Sequence, residues 1–335
     1  MTEPGSTPDQ PAVTPSPATD RDRFQEVQLA GVRVEQPSNS PIVLLKDDHG
    51  NRCLPIPIGA VEATAIAFAQ QGMVSLRPLT HDLFRDVLKA VDVRLLSVRI
   101  TSVTDGIFYA DLVLSNGSIV SSRPSDGIAL AIRVGASVLA SHEVLAQEGV
   151  DLGDGPGEAL AGSADSAEVR PSGADEAHSA LGGDSSDWAI PEPGTLLMTE
   201  MELVGVRVEQ PSDSPIALLK EAHGNRYLPI WIGAVEATAI AFAQQGKVLP
   251  RPLTHELFRD VLEAVDVQLL SARVTSLTGG IFNGVLVLSN GINVRARPSD
   301  AIALAIHTGA MIEASTEVIE EAGVEVPGGQ APASD

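Results

Sequence analysis

Apolar and polar residues follow two rhythms along the chain, and each change of rhythm marks a predicted element. Val27 to Glu35 alternates with period two, as a half-buried strand does. Ile42 to Leu45 and Cys53 to Ile58 read as strands flanking a turn at Asp48-His49-Gly50-Asn51. Gly59 then opens a small-residue helix, Ala60 to Gln71, closed by Gly72. After Arg77-Pro78-Leu79, the spacing of Leu83, Val87, Leu88 and Val91 predicts a helix with one apolar face, with Thr80 as its N-cap. Strands at Val93 to Val103 and Ile107 to Leu114 turn at Asp105-Gly106, and a short strand near Ile119 follows Asn116-Gly117. Pro124-Ser125 starts a helix from Asp126 to Val134, and a last helix spans His142 to Glu148. Strands joined by short turns, with helices clustered between them, predict an α+β fold: a mainly antiparallel sheet with helices packed on it.

The same pattern then repeats. A shift of 174 residues lays Gly31 to Gly72 on Gly205 to Gly246 with 36 of 42 identities, and Gly31 to Val150 on Gly205 to Val324 with 86 of 120, without a gap. A unit this long is a whole domain rather than a solenoid repeat. The expected organisation is a tail at 1–24, one copy at 25–150, a linker at 151–198, a second copy at 199–324 and a tail at 325–335. The linker is rich in Gly, Ala, Ser, Asp and Glu and lacks periodicity, which predicts disorder. Two tandem homologous domains on such a tether are expected to fold independently, with pseudo-twofold pairing or homo-oligomerisation open to them.

Composition narrows the class. Aromatics are only 3% of 335 residues, so the cores must be built from Val, Ile, Leu and Ala. The start of the chain is neither basic nor apolar, and no window approaches the ~18 apolar residues of a membrane span, which predicts a soluble cytoplasmic protein. One cysteine, Cys53, excludes an intramolecular disulfide and reads as a small buried apolar side chain. The net charge of -22 is unevenly spread: 151–198 carry -9, the first copy -3 and the second -6. Mildly acidic domains exclude a tight basic clamp on nucleic acid and fit weak contacts, with or without metal.

Three polar clusters recur in both copies, and each opens a predicted helix. In Gly59-Ala60-Val61-Glu62, repeated as Gly233 to Glu236, the acid suits the helix dipole, worth about 0.3–1 kcal/mol, or a site. In Arg77-Pro78-Leu79-Thr80-His81-Asp82, repeated as Arg251 to Glu256, a base, a potential general acid/base and a carboxylate surround a helix N-terminus that attracts anions. Asp82 becomes Glu256, which keeps a carboxylate for a dipole or for a metal. In Arg123-Pro124-Ser125-Asp126, repeated as Arg297 to Asp300, the Ser and Asp read as caps, or as a carboxylate for a divalent ion beside a phosphate-facing Arg. No P-loop and no Gly-x-Ser-x-Gly elbow is present.

The run Pro229-Ile230-Trp231-Ile232-Gly233 with Glu236-Ala237, the element Arg77 to Asp82, the strand Gly106-Ile107-Phe108-Tyr109-Ala110 and the run Arg297-Pro298-Ser299-Asp300-Ala301-Ile302-Ala303-Leu304-Ala305 together closely resemble the bifunctional nuclease family. The resemblance covers both copies and implies hydrolysis of phosphodiesters in DNA or RNA, with nucleic acid as substrate. Three departures stand out: Pro57 where relatives usually carry Trp, Asn283-Gly284 for Tyr-Ala, and Ser121 and Arg295 where an acid often precedes the arginine by two residues. The expected mechanism uses metal-activated water. Glu62, Asp82 and Asp126 are candidate Mg²⁺ or Mn²⁺ ligands, His81 the general acid/base, and Arg77 and Arg123 the charge stabilisers. Glu236, Glu256, Asp300, His255, Arg251 and Arg297 form the second set. The competing expectation is a binding or regulatory module whose polar clusters are caps and intersubunit contacts. Geometry separates the two, because catalysis needs His81, Asp82, Glu62 and Asp126 in one cleft.

Overall fold

The computed structural model describes residues 23–47, 52–73, 75, 77–151, 196–209, 213–246 and 250–325. The tails, nearly all of the linker and the turn Asp48 to Asn51 lie outside the described residues. The first copy runs β1 (Phe24–Glu35), β2 (Ser40–Asp47), β3 (Arg52–Pro57), α1 (Ala60–Gln70), α2 (Thr80–Ala90), β4 (Leu95–Thr104), β5 (Ile107–Leu114), β6 (Ile119–Ser122), α3 (Pro124–Val134), β7 (Ser137–Ser141), α4 (His142–Glu148) and β8 (Val150–Asp151). The second copy repeats this as β9 (Met198–Glu209), β10 (Ser214–Glu221), β11 (Arg226–Trp231), α5 (Ala234–Gln244), α6 (Thr254–Ala264), β12 (Leu269–Thr278), β13 (Ile281–Leu288), β14 (Asn293–Ala296), α7 (Pro298–Thr308), β15 (Met311–Ser315), α8 (Thr316–Ala322) and β16 (Val324–Glu325).

Each copy is an α+β domain on an eight-stranded sheet, ordered β6-β5-β4-β7-β1-β2-β3-β8 in the first. All neighbours pair antiparallel except β4 with β7. The parallel pair puts α3 in the return path from β6 to β7, packed on β4 and β5. Strands β7 and β8 are not marked by the sequence pattern, because both are short and gain their pairing from distant residues.

The contact of α3 with β4 is tight enough to be written into the sequence twice. A Cβ on Gly127 would lie 2.6 Å from Val98 Cγ1. At the matching positions the second copy has Ala301 and Ala272, so where the helix residue gains a methyl the strand residue is smaller. The smaller strand residue makes room for the larger helix residue across the packed layers.

Two expectations change. Thr80 does not cap α2: Leu79 holds the N-cap position, and Thr80 is the first helical residue. The Leu79 N–H donates instead to Asp82 Oδ2 at 3.1 Å, and Leu253 N–H to Glu256 Oε2 at 2.7 Å, so these acids close the first turn. The copies also do not keep separate cores. One continuous buried cluster includes residues of both, and at its junction the rings of Phe84 and Phe258 stack with centroids 4.2 Å apart and 5° between planes. Phe84 follows Thr80 by four residues, so both lie on one face of α2, and that face meets the other copy. Helix α2 also touches β14, and α6 touches β6. The contacts are reciprocal, as a twofold relation between like domains requires.

Candidate functional site

The sequence clusters come together across the junction rather than within one copy. Arg123 sits at the N-cap of α3 with Asp126 one turn on. Its Nε donates to Asp126 Oδ2 at 2.7 Å, its Nη1 to Glu62 Oε1 at 2.8 Å, and its Nη2 to the Thr254 hydroxyl at 3.1 Å. Thr254 in turn donates to Asp126 Oδ1 at 2.9 Å, and His81 Nε2 lies 3.0 Å from the same oxygen. The second copy mirrors this: Arg297 contacts Asp300, Glu236 and Thr80, Thr80 donates to Asp300 Oδ1 at 2.9 Å, and His255 lies 3.0 Å from it. Each cluster is completed by a threonine of the other copy.

Asp126 is fully buried. Burial alone would raise its pKa, but the hydrogen bond from His81 and the charge of Arg123 outweigh it and hold the carboxyl below the usual range. The same balance, with Arg297 the largest favourable partner, lowers Asp300. An ionised carboxylate only accepts, so in this hydrogen bond the Nε2–H tautomer of His81 is the donor and Asp126 the acceptor. For Arg123, burial acts downward, yet Asp126 and Glu62 raise its pKa.

A cleft of about 390 Å³ opens in front of this cluster, lined by Ser40, Ile56, Pro57, Ile58, Gly59, Glu62, Arg123, Pro124, Ser125 and, from the second copy, Arg251. Arg251 Nη1 donates to the Phe108 carbonyl at 2.7 Å, and Arg77 does the same to Phe282 at 3.2 Å. Among the described residues only that one nitrogen of Arg251 is held. Burial and the neighbouring Arg123 push the Arg251 guanidinium below its ordinary pKa, and burial with Arg297 does so for Arg77. Arginine nonetheless stays charged; Asp126 and Glu62 offset part of the repulsion between the two guanidiniums, and the donors of Arg251 that make no hydrogen bond suit an anion. Gly59 leaves room for this geometry, since a Cβ there would run into the Glu62 carboxylate as it is placed.

The predicted site residues therefore divide. Glu62, Arg123 and Arg251 line the cleft; Asp126 stands behind Arg123, and His81 behind Asp126. Asp82 turns elsewhere, accepting from Arg133 Nε at 2.7 Å. Glu62, Asp82 and Asp126 do not converge: both oxygens of Asp126 are occupied, and no group of three His, Cys, Asp or Glu suited to a metal exists among the described residues. The donor set thus does not fit the three-carboxylate Mg²⁺ or Mn²⁺ site expected from the sequence. Nothing in the sequence marks Thr80 or Thr254 as cluster members, because their partners lie 220 and 128 residues away. Ser125, expected as a cap, lines the cleft, and no side-chain cap bond is made at this helix N-terminus. Ser121 and Arg295 are exposed on β6 and β14 and do not line this cleft. Cys53 is buried, and burial raises its thiol pKa.

No helix of the described residues is long and apolar enough to cross a membrane. Two curated relatives from Mycobacterium tuberculosis, "Uncharacterized protein MT1877" of strain CDC 1551 / Oshkosh and "Uncharacterized protein Rv1829" of strain ATCC 25618 / H37Rv, are each 50% identical over 129 residues, covering 38% of this chain and 79% of the relative. The family described as "Bifunctional nuclease domain" matches at residues 43–153 and again at 217–327, well over half of the chain. Strand β1, which lies outside those bounds, is nonetheless part of the sheet. This chain belongs to the bifunctional nuclease domain family and carries two copies of the domain in tandem.

Proposed function

We propose that each cleft binds a phosphodiester of DNA or RNA and hydrolyses it. The observation that carries this reading is Arg251, delivered from the other copy to stand beside Arg123 with most of its guanidinium unclaimed. Such a fork suits two phosphate oxygens. Arg251 binds the phosphate and offsets the charge that develops on it. Glu62, the one carboxylate on the cleft wall among the described residues, receives a proton from the attacking water. As the water oxygen bonds to phosphorus, the bond to the leaving sugar oxygen breaks, and solvent protonates that oxygen. Arg123 holds Glu62, Asp126 holds Arg123, and His81 holds Asp126, so the histidine positions rather than transfers. Ser125 offers a further hydrogen bond to the phosphate.

The saturation of Asp126 favours a second reading, in which the clusters fasten the two copies and the clefts bind nucleic acid without cutting it. A nuclease assay on single-stranded DNA and RNA, with and without EDTA, separates the two. Arg77→Ala with Arg251→Ala should lower hydrolysis by roughly 10²–10³-fold, the range for losing one transition-state donor, while leaving folding intact. Binding without cleavage by the wild-type chain would select the second reading. Unchanged hydrolysis in the double variant would remove the clefts from the reaction.

A further inference from the structure

Of the ten residues that line the cleft, nine recur unchanged at the matching positions of the second copy, and the tenth, Pro57, is replaced by an aromatic ring. Pro57 is on the wall of the first cleft, at the end of β3, where it pairs with Ile42. Its counterpart is Trp231, at the end of β11 and paired with Ile216 in the same register. The strand, the following Gly233 N-cap and the Arg297–Glu236 pair all repeat the first copy, so the correspondence of the copies gives the second a matching cleft with Trp231 in the place of Pro57.

Trp231 is 52% exposed, while the indole N–H is tied to Glu209 Oε2 at 2.9 Å. An exposed indole leaves apolar surface in water, and the tether fixes the ring so that little further order is lost when something stacks on it. The cations at the matching place in the second copy are Arg297, held by Asp300 and Glu236, and Arg77 from the first copy, which feels the charges of all three. A fixed aromatic face beside a phosphate-binding guanidinium is the combination that holds one nucleotide of a single strand, because every base has a stacking face that a duplex keeps covered. Proline has no such face.

Resting on the reading of the clefts as nucleic-acid sites, we propose that the second cleft is a single-strand-selective subsite in which a nucleobase stacks on Trp231 and the adjoining phosphate lies on Arg77. The first cleft, with Pro57, binds the backbone alone. The duplication has therefore separated a base-holding cleft from a backbone-holding one.

The test uses the full chain with Trp188→Phe, which leaves Trp231 as the only tryptophan. A thymidine decamer, checked for intactness after each titration, should quench Trp231 fluorescence and bind more tightly than the same sequence as a duplex. Trp231→Ala should weaken single-strand binding roughly five- to a hundredfold, Trp231→Phe should restore much of it, and duplex binding should barely change. Pro57→Trp should tighten single-strand binding. Unquenched fluorescence on a bound strand, or equal affinity in Trp231→Ala and its parent, would overturn this inference and leave the proposed function standing. Failure of the wild-type chain to bind any strand would overturn both. Equal melting temperatures confirm that the variants report on the ring and not on the fold.

Discussion

Truncating the rings at the junction tests the joint between the copies, on which both clefts depend. Phe84 and Phe258 are each fully buried, and each forms one wall of the other's environment. Removing one ring loses its transfer free energy and leaves a cavity between two rigid helices, so Phe84→Ala and Phe258→Ala should each cost about 3–5 kcal/mol. Part of that cost, about 0.5–1.5 kcal/mol, is the stacking of one ring on the other. The second truncation cannot lose it again. The double variant should therefore be less destabilised than the sum of the singles by about 0.5–3 kcal/mol, the range for residues that share a contact and a cavity. Urea unfolding of the full chain, followed by far-ultraviolet circular dichroism and by intrinsic fluorescence, measures all four corners of the cycle. Costs that add within about 0.5 kcal/mol would mean that the rings do not touch in solution, and the threonine contacts that complete each cluster would fall with them.

Two further outcomes follow from the packing and the buried charge. Gly127→Ala should destabilise by about 1–3 kcal/mol through the clash with Val98, and adding Val98→Ala should recover most of it, as the Ala301 and Ala272 pair of the second copy implies; a melting series without recovery would refute the volume argument. Asp126 and Asp300 have folded pKa values below the unfolded value of about 3.9, so their contribution is complete above that pH and is lost as pH falls below it toward the folded values. Acid unfolding should then begin below about pH 4 in the wild type, and Asp126→Asn should flatten that limb while lowering stability at pH 7 by about 3–5 kcal/mol, because Arg123 loses a buried partner.

Much of the fold is local chemistry and is legible in the sequence. The alternating run gives β1, the apolar runs that flank turns give β2, β4 and β5, the apolar spacing of Leu83, Val87 and Leu88 gives the buried face of α2, and Pro124 at the first helical position starts α3. The duplication itself, and the motifs that place the chain in its family, need no coordinates. What the sequence does not contain is direction across the junction. Thr80 has the residue type of a cap, yet its hydroxyl serves Asp300, and Arg251 stands in a motif of the second copy while lining the cleft of the first. Likewise Asp82 is next to His81 in the chain but turns to Arg133, since successive residues of a helix point about 100° apart. Local pattern determines which residues can form an element and which face is apolar. Only the burial of two such faces against each other decides which carboxylates meet a cation, which are saturated by it, and which one is left facing the cleft.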